Sequence, residues 1–114
     1  FIHIDDVSKA SYLIMQKGKP GEIYHVCGSK FISIKDLVKK ICERMQYDFN
    51  KLVKYSTKKP SRDKSYILSN AKIKKQFNWR DDITVDEGVN RSIRWIKANL
   101  NAFSKLDQNY QHKK

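Results

Sequence analysis

The sequence lacks long apolar runs. The longest, Tyr12–Met15, is far shorter than the roughly 20 apolar residues that a membrane-spanning helix needs. We therefore expect no membrane partner. Hydrophobic residues still make up 39% of the chain and charged residues 32%, a balance typical of a folded domain, which excludes general disorder.

Glycine is also scarce. A nicotinamide-dinucleotide site needs closely spaced glycines between a strand and a helix, because only glycine lets backbone amides crowd a pyrophosphate. None of the glycines in this chain form that pattern; they are Gly18, Gly21, Gly28 and Gly88. The sequence therefore predicts no cofactor site in this chain.

Cysteine is limited to Cys27 and Cys42, too few for a disulfide framework or a cysteine metal site. We expect both to be reduced thiols in the core of a cytoplasmic protein. His3, His25 and His112 show no metal-ligand spacing with one another or with the cysteines. No metal site is predicted.

The opening segment, Phe1–Asp6, has no initiator Met and neither the basic nor the apolar region of a signal peptide. We expect the chain to come from a longer protein. Its 114 residues suffice for one small domain but not for a dinucleotide fold with a separate substrate lobe. We expect a single lobe over residues 1–100 and a polar, mobile tail over residues 101–114.

Positive charge is in large excess, since Lys and Arg number 24 against 12 Asp and Glu. A nucleotide sugar and a nucleic acid are both suitable anionic partners. The charge is densest over Lys58–Lys64, where the Arg62 fork and mobile lysines suit a diphosphate, although a solvated surface loop is the other reading. Nucleic-acid recognition favours interleaved aromatic residues, and only Tyr55 and Tyr66 flank this segment.

Apolar residues at helical spacing, bounded by capping residues, predict about four helices. Ser33 with Asp36 resembles a capping box, and Trp79 is expected to anchor the core. The predicted helices begin after Asp5 or Asp6, after Ser33, after Ser69 or Asn70, and after Thr84, and they end near Gly18, Met45, Asn78 and Leu100.

Short runs of β-type residues predict a small sheet. They are Phe1–Ile4, Glu22–Cys27 and Lys51–Tyr55, with a brief further run at Tyr66–Leu68. Together with the helices they predict a mixed α/β lobe.

Tyrosine and lysine occur at the Tyr-x-x-x-Lys spacing of short-chain dehydrogenases. The pairs are Tyr47 with Lys51, Tyr55 with Lys59, and Tyr110 with Lys114. Such matches are expected by chance in a lysine-rich chain with six tyrosines, and none lies inside a well-marked helix. No catalytic residue is predicted.

Several stretches, taken in order, resemble the last third of the extended short-chain dehydrogenase/reductase family, the NAD-dependent epimerases and dehydratases of nucleotide sugars. The segment around Pro60 is similar to the Arg-Pro-Gly-His-Asp-Arg-Arg-Tyr loop of nucleotide-sugar 4,6-dehydratases. The stretches are Phe1–Ala10, Gly21–Gly28, Lys59–Tyr66, Lys72–Trp79, Glu87-Gly88 and Ile93–Trp95. His25 stands where the family has Asn, and Lys59 where it has Arg.

This resemblance implies a nucleotide-sugar-binding lobe without its Rossmann domain. Lys59 and Arg62 would contact the diphosphate or base, and Tyr66 would support the loop. The parent would be a lyase or isomerase that transfers a hydride from the sugar C4 to NAD+ held by its amino-terminal domain. It could form a homodimer. The lobe alone would be inactive. The alternatives are a basic nucleic-acid-binding module and a structural or dimerisation fragment without a ligand.

Overall fold

The computed structural model describes residues 1–55 and 65–106. Four helices correspond to those expected, and two short ones, Phe49–Leu52 and Leu100–Phe103, were not predicted. The second of these includes residues 101–103, while residues 107–114 of the predicted tail lie outside the described residues. The helices are α1 Ile4–Lys17, α2 Ile34–Met45, α3 Phe49–Leu52, α4 Ala71–Phe77, α5 Val85–Ala98 and α6 Leu100–Phe103.

Helix boundaries follow the capping residues with one correction. The hydroxyls of Ser33 and Thr84 accept hydrogen bonds from the backbone N–H groups three residues later, at 3.0 and 3.2 Å, as predicted for α2 and α5. Asn78 ends α4 in the left-handed conformation, with φ 51°. The prediction that Asp5 or Asp6 caps α1 was wrong, because the His3 Nδ1 atom accepts from the Asp5 N–H at 3.2 Å.

The described residues contain helices and no strand, so they show the helical part of the predicted α/β lobe and not its small sheet. The start of the predicted strand Lys51–Tyr55 lies in α3, because the Asp48 carboxylate accepts from the Asn50 N–H at 2.9 Å and starts a helical turn there. The segment Glu22–Cys27 has no regular structure. Its Ile23 carbonyl accepts a hydrogen bond from a lysine side chain instead of a neighbouring strand.

The core lies between α1 and α4. Ala10, Ile73 and Trp79 are buried there, and the indole of Trp79 is only 3% exposed, which agrees with its predicted anchoring role. Partly buried apolar side chains surround these three: Ile2, Leu13, Ile14, Val26 and Phe77. A second packing contact joins α2 to α5. There Lys40 and Arg44 both donate to Asp86 at 2.9 Å.

A buried carboxylate ties α1 to the chain that enters α5. Asp6 is fully buried, and its Oδ2 atom accepts from the Ile83 backbone N–H at 3.0 Å. Its backbone carbonyl accepts from the Trp79 indole N–H at 3.2 Å. The Oδ1 atom has no hydrogen-bond partner among the described residues, and the Lys9 ammonium lies 3.9 Å from it. Asp6 therefore fixes residues 79–83 against the first helix.

A second carboxylate, Asp81, holds the loop that follows Gly28. It accepts from the Ser29 backbone N–H at 2.6 Å and from the Ser29 hydroxyl at 2.5 Å, and the Lys74 ammonium lies 3.8 Å away. Burial raises the pKa of Asp81, but the Ser29 hydrogen bonds and the Lys74 charge together bring it below its ordinary value of 3.8. The ionised carboxylate is thus the form that the fold stabilises.

Replacing Asp6 by alanine is expected to lower the free energy of unfolding by about 2–3 kcal/mol, because the part-buried Ile83 N–H loses its acceptor and a fully buried side chain is truncated. Asp5→Ala is the matched control. The Asp5 side chain is 54% exposed, so its loss is expected to change stability by about 0.5 kcal/mol or less. Urea unfolding followed by circular dichroism measures both, and equal losses in the two variants would contradict this role for Asp6.

Asp81→Asn is expected to make the free energy of unfolding depend less on pH in the acid range. Because the folded-state pKa of Asp81 lies below its ordinary value, its contribution is present above pH 3.8 and is lost as the pH falls through the folded-state value. The variant should therefore be less stable than the wild type at pH 7. Its free energy of unfolding should also fall less than that of the wild type between pH 5 and pH 2. Urea unfolding across this range tests the difference. Asp82→Asn, at a side chain that is 60% exposed, should keep the wild-type slope.

Candidate functional site

Only one of the three predicted site residues is among the described residues. Lys59 and Arg62 lie outside them, in the segment 56–64. Tyr66 follows that segment, and its side chain is 81% exposed. The structure therefore locates the carboxyl-terminal flank of the predicted site.

Side-chain hydrogen bonds fix this flank beside the loop at residues 27–29. The Cys27 thiol donates to the Leu68 carbonyl at 3.2 Å, and the Asn70 amide donates to the Cys27 carbonyl at 2.9 Å. Tyr66 is only two residues before the first of these contacts. The exit of the basic segment is thus held next to Gly28 and Ser29.

A shallow depression of about 440 Å³ lies along this contact. Phe31 and Ile67 give it exposed apolar surface, and Lys74 supplies an ammonium group. Its lining residues are Gly28, Ser29, Phe31, Ile67, Leu68, Ser69, Asn70 and Lys74. Such a surface can receive a flat or apolar group on one side and a negative charge on the other.

A larger cleft of about 550 Å³ adjoins the depression, and the two share Gly28, Ser29 and Lys74. Lys74 is already engaged, since its ammonium donates to the Ser29 hydroxyl at 2.6 Å. Lys30 and Arg80 also line the cleft. Neither forms an ion pair with another residue in the described ranges. The cleft therefore offers two cations to an anionic group.

Sequence reasoning missed this juxtaposition. Ser29 lies 45 residues before Lys74 and 52 residues before Asp81, so no local spacing connects it to them. Gly28 adds a constraint that also depends on the tertiary structure, because a Cβ atom there would collide with the Phe1 carbonyl oxygen. A glycine is therefore required where the opening segment crosses the loop.

Of the pairs at dehydrogenase spacing, only Tyr47 with Lys51 lies wholly within the described residues, since Lys59, Tyr110 and Lys114 lie outside them. Tyr47 lies in the turn after α2 while Lys51 lies in α3, so they do not share a helix face. The Tyr55 ring instead lies 5.9 Å from the Lys35 ammonium. Residues 1–55 and 65–106 contain no cluster of three or more His, Cys, Asp or Glu side chains that could hold a metal ion.

The glycines do not fit a dinucleotide. Gly18 ends α1 and Gly88 lies inside α5, while Gly21 occupies a turn with φ 80°. Among the described residues, no helix of the chain begins at a glycine-rich turn; the N-caps are His3, Ser33, Asp48, Asn70, Thr84 and Asn99. These residues therefore do not supply the backbone cradle that NAD requires.

Within the ranges that the structure covers, no helix combines the length and the apolar character needed to cross a lipid bilayer.

Much of the positive charge on the described elements is paired. The Arg91 guanidinium donates to Glu87 at 2.8 Å and lowers the pKa of that carboxyl, and Lys40 does the same for Asp86. The basic residues in such ion pairs are Lys9, Lys40, Arg44, Lys72, Lys74, Arg91 and Arg94. They are distributed over α1, α2, α4 and α5, so they do not form one continuous basic stripe.

No protein-family model matches the chain. The sequence is 28% identical over 109 residues to a dTDP-glucose 4,6-dehydratase of Escherichia coli, an alignment that covers 87% of this chain and 30% of the enzyme. The chain thus spans about a third or less of the length of the curated relatives that it matches.

Two solved structures share the fold. The Bordetella bronchiseptica enzyme WbmF, solved in complex with NAD+ and UDP, matches with a TM-score of 0.75 and 27% identity over 92% of this chain and 31% of its own. The dTDP-glucose 4,6-dehydratase of Bacillus anthracis, solved in complex with NAD, matches with a TM-score of 0.80 and 24% identity, covering 88% of this chain and 31% of its own.

These similarities agree with the order of motifs in the sequence. The matches cover 87% and 92% of this chain. Over most of its length the chain is similar to the carboxy-terminal portion of nucleotide-sugar 4,6-dehydratases, and the predicted resemblance is confirmed.

Proposed function

We propose that the chain is the nucleotide-sugar-binding lobe of an NAD-dependent sugar 4,6-dehydratase or epimerase. The observation that carries this proposal is the similarity, at 27% identity and a TM-score of 0.75, to an enzyme solved with NAD+ and UDP. UDP has two linked phosphates, and this chain carries a net charge of +12. A lobe of this sign attracts such a ligand.

In this proposal Lys59 and Arg62 contact the diphosphate or base, and Tyr66 supports the loop. The geometry of the flank supports the assignment, because Cys27 and Asn70 hold residues 68–70 in place. A basic segment with a fixed exit loses less conformational freedom on binding than one with a free end.

The depression beside Tyr66 extends the proposed site. Phe31 and Ile67 provide apolar surface for the base or the sugar ring, and Lys30, which forms no ion pair among the described residues, lies in the adjoining cleft. A nucleotide sugar has the same combination of flat, apolar-faced rings and charged phosphates.

NAD belongs, in this proposal, to an amino-terminal Rossmann domain of the same polypeptide, since the glycines of the chain do not fit it. The chain itself holds and orients the sugar nucleotide. We place the parent enzyme in the cytoplasm, with homodimerisation as a further part of the proposal. Turnover by the lobe alone is not expected.

Nucleic acid is the second candidate, and the net charge of +12 is what favours it. The dispersion of the ion-paired cations over four helices weighs against a continuous backbone-tracking groove. The two functions differ in their response to salt. Nucleic-acid affinity would fall steeply with salt and depend on many lysines, whereas sugar-nucleotide affinity would depend chiefly on Lys59 and Arg62.

The double substitution Lys59→Gln and Arg62→Gln in the parent enzyme is expected to weaken binding of dTDP-glucose or UDP-glucose by roughly 10- to 100-fold, because charge-assisted hydrogen bonds to the phosphates are lost. Isothermal titration calorimetry measures the change. The control removes the same charge elsewhere, with Lys17→Gln and Lys105→Gln, and is expected to change affinity by about twofold or less. Equal losses in both double variants would favour non-specific attraction and contradict the proposed site.

The isolated chain, incubated with NAD+ and a panel of nucleotide sugars, is expected to give no turnover, because its glycines do not fit the cofactor and Tyr47 does not share a helix with Lys51. Absorbance at 340 nm detects reduced cofactor, and chromatography of the sugars detects dehydration or epimerisation. Measurable conversion would refute the division of the enzyme into two lobes.

A further inference from the structure

An open apolar groove lies on the surface of the lobe. It runs between α2 and α5 and is closed at one end by the opening segment, with a volume of about 630 Å³. Several of its apolar side chains are between 36% and 67% exposed, namely Phe1, Ile4, Met45, Tyr47, Ile96 and Leu100. A continuous apolar surface of this kind on a folded domain marks a contact with another apolar surface.

The lining defines the chemistry of the occupant. Among the described residues that line the groove, Lys97 is the only side chain with a charge of fixed sign, and the remaining polar groups are few. Phosphates would find almost no partner in it. The groove is therefore separate from the proposed sugar-nucleotide site, and it fits an apolar protein surface.

A second copy of the chain is a poor occupant. Each copy carries a net charge of +12, so pairing two copies brings like charges together around an apolar contact. The remaining chain of the same enzyme is better suited, because the solved structures that share this fold are about three times longer: the match covers 92% of this chain but 31% of WbmF.

We propose that this groove takes the apolar face of a helix from the remainder of the parent polypeptide. This inference rests on the proposed function, in which the lobe is one part of a longer enzyme. Both walls of the groove are helices, α2 and α5, and a third helix can lay its apolar rows between them. Gly88, on the groove side of α5 near His3, keeps the floor free of a side chain.

Ile96→Asp tests the contact by comparing two backgrounds. In the parent enzyme the substitution buries a carboxylate against the docked helix and is expected to lower the Tm by roughly 5–10 °C. In the isolated chain, where Ile96 is 44% exposed, the Tm is expected to change by about 2 °C or less. Met15→Asp is the matched control, because Met15 is 74% exposed on α1 and does not line the groove. It is expected to have a small effect in both backgrounds.

An equal effect of Ile96→Asp in the two backgrounds would overturn the proposal. If the substituted parent fails to fold, a photo-crosslinking amino acid at position 47, beside the groove, replaces the stability measurement. Crosslinks to residues of the remaining chain at spacings of three and four support a docked helix, while crosslinks to a second copy, or none within the protein, contradict it. Neither measurement uses a nucleotide sugar, so this contact and the proposed binding site can fail independently.

Discussion

The buried carboxylate of Asp6 is the constraint on which the arrangement of the lobe depends. It joins the first turn of α1 to the Ile83 backbone, while the adjacent carbonyl holds the Trp79 indole. Asp6 is fully buried and accepts from the Ile83 backbone N–H, so the chain between Trp79 and Ile83 has little freedom to move. That chain forms one wall of the cleft and leads directly into α5.

Hydrogen bonds from side chains, more than backbone hydrogen bonds between strands, connect the irregular segments. Asp81 holds Ser29, and Asn70 and Cys27 hold the chain at Leu68. These contacts place the exit of the basic segment, the depression and the cleft along one edge. A few side-chain bonds can do this because each satisfies a backbone group that a strand would otherwise pair.

The surface separates two kinds of recognition. The edge near Tyr66 has ammonium groups, hydroxyls and some apolar surface, which suit a charged small molecule. The groove between α2 and α5 is almost uncharged and suits a protein surface. In the proposed enzyme the first holds the substrate and the second attaches the lobe, so that binding and assembly use separate residues.

The sequence by itself determined the helices that have strong local signals. Ser33 and Thr84 each cap a helix through a backbone N–H three residues later, and Trp79 is buried in the core, as its large apolar side chain predicts. The motif order also identified the resemblance. The sequence did not determine two further features. The strand expected at Glu22–Cys27 depends on a distant partner, and the cap of α1 depends on which of several neighbouring acceptors reaches the first N–H groups.

Only the tertiary structure brought residue 29 to residues 74 and 81, because hydrogen bonds between distant segments leave no periodicity in a sequence.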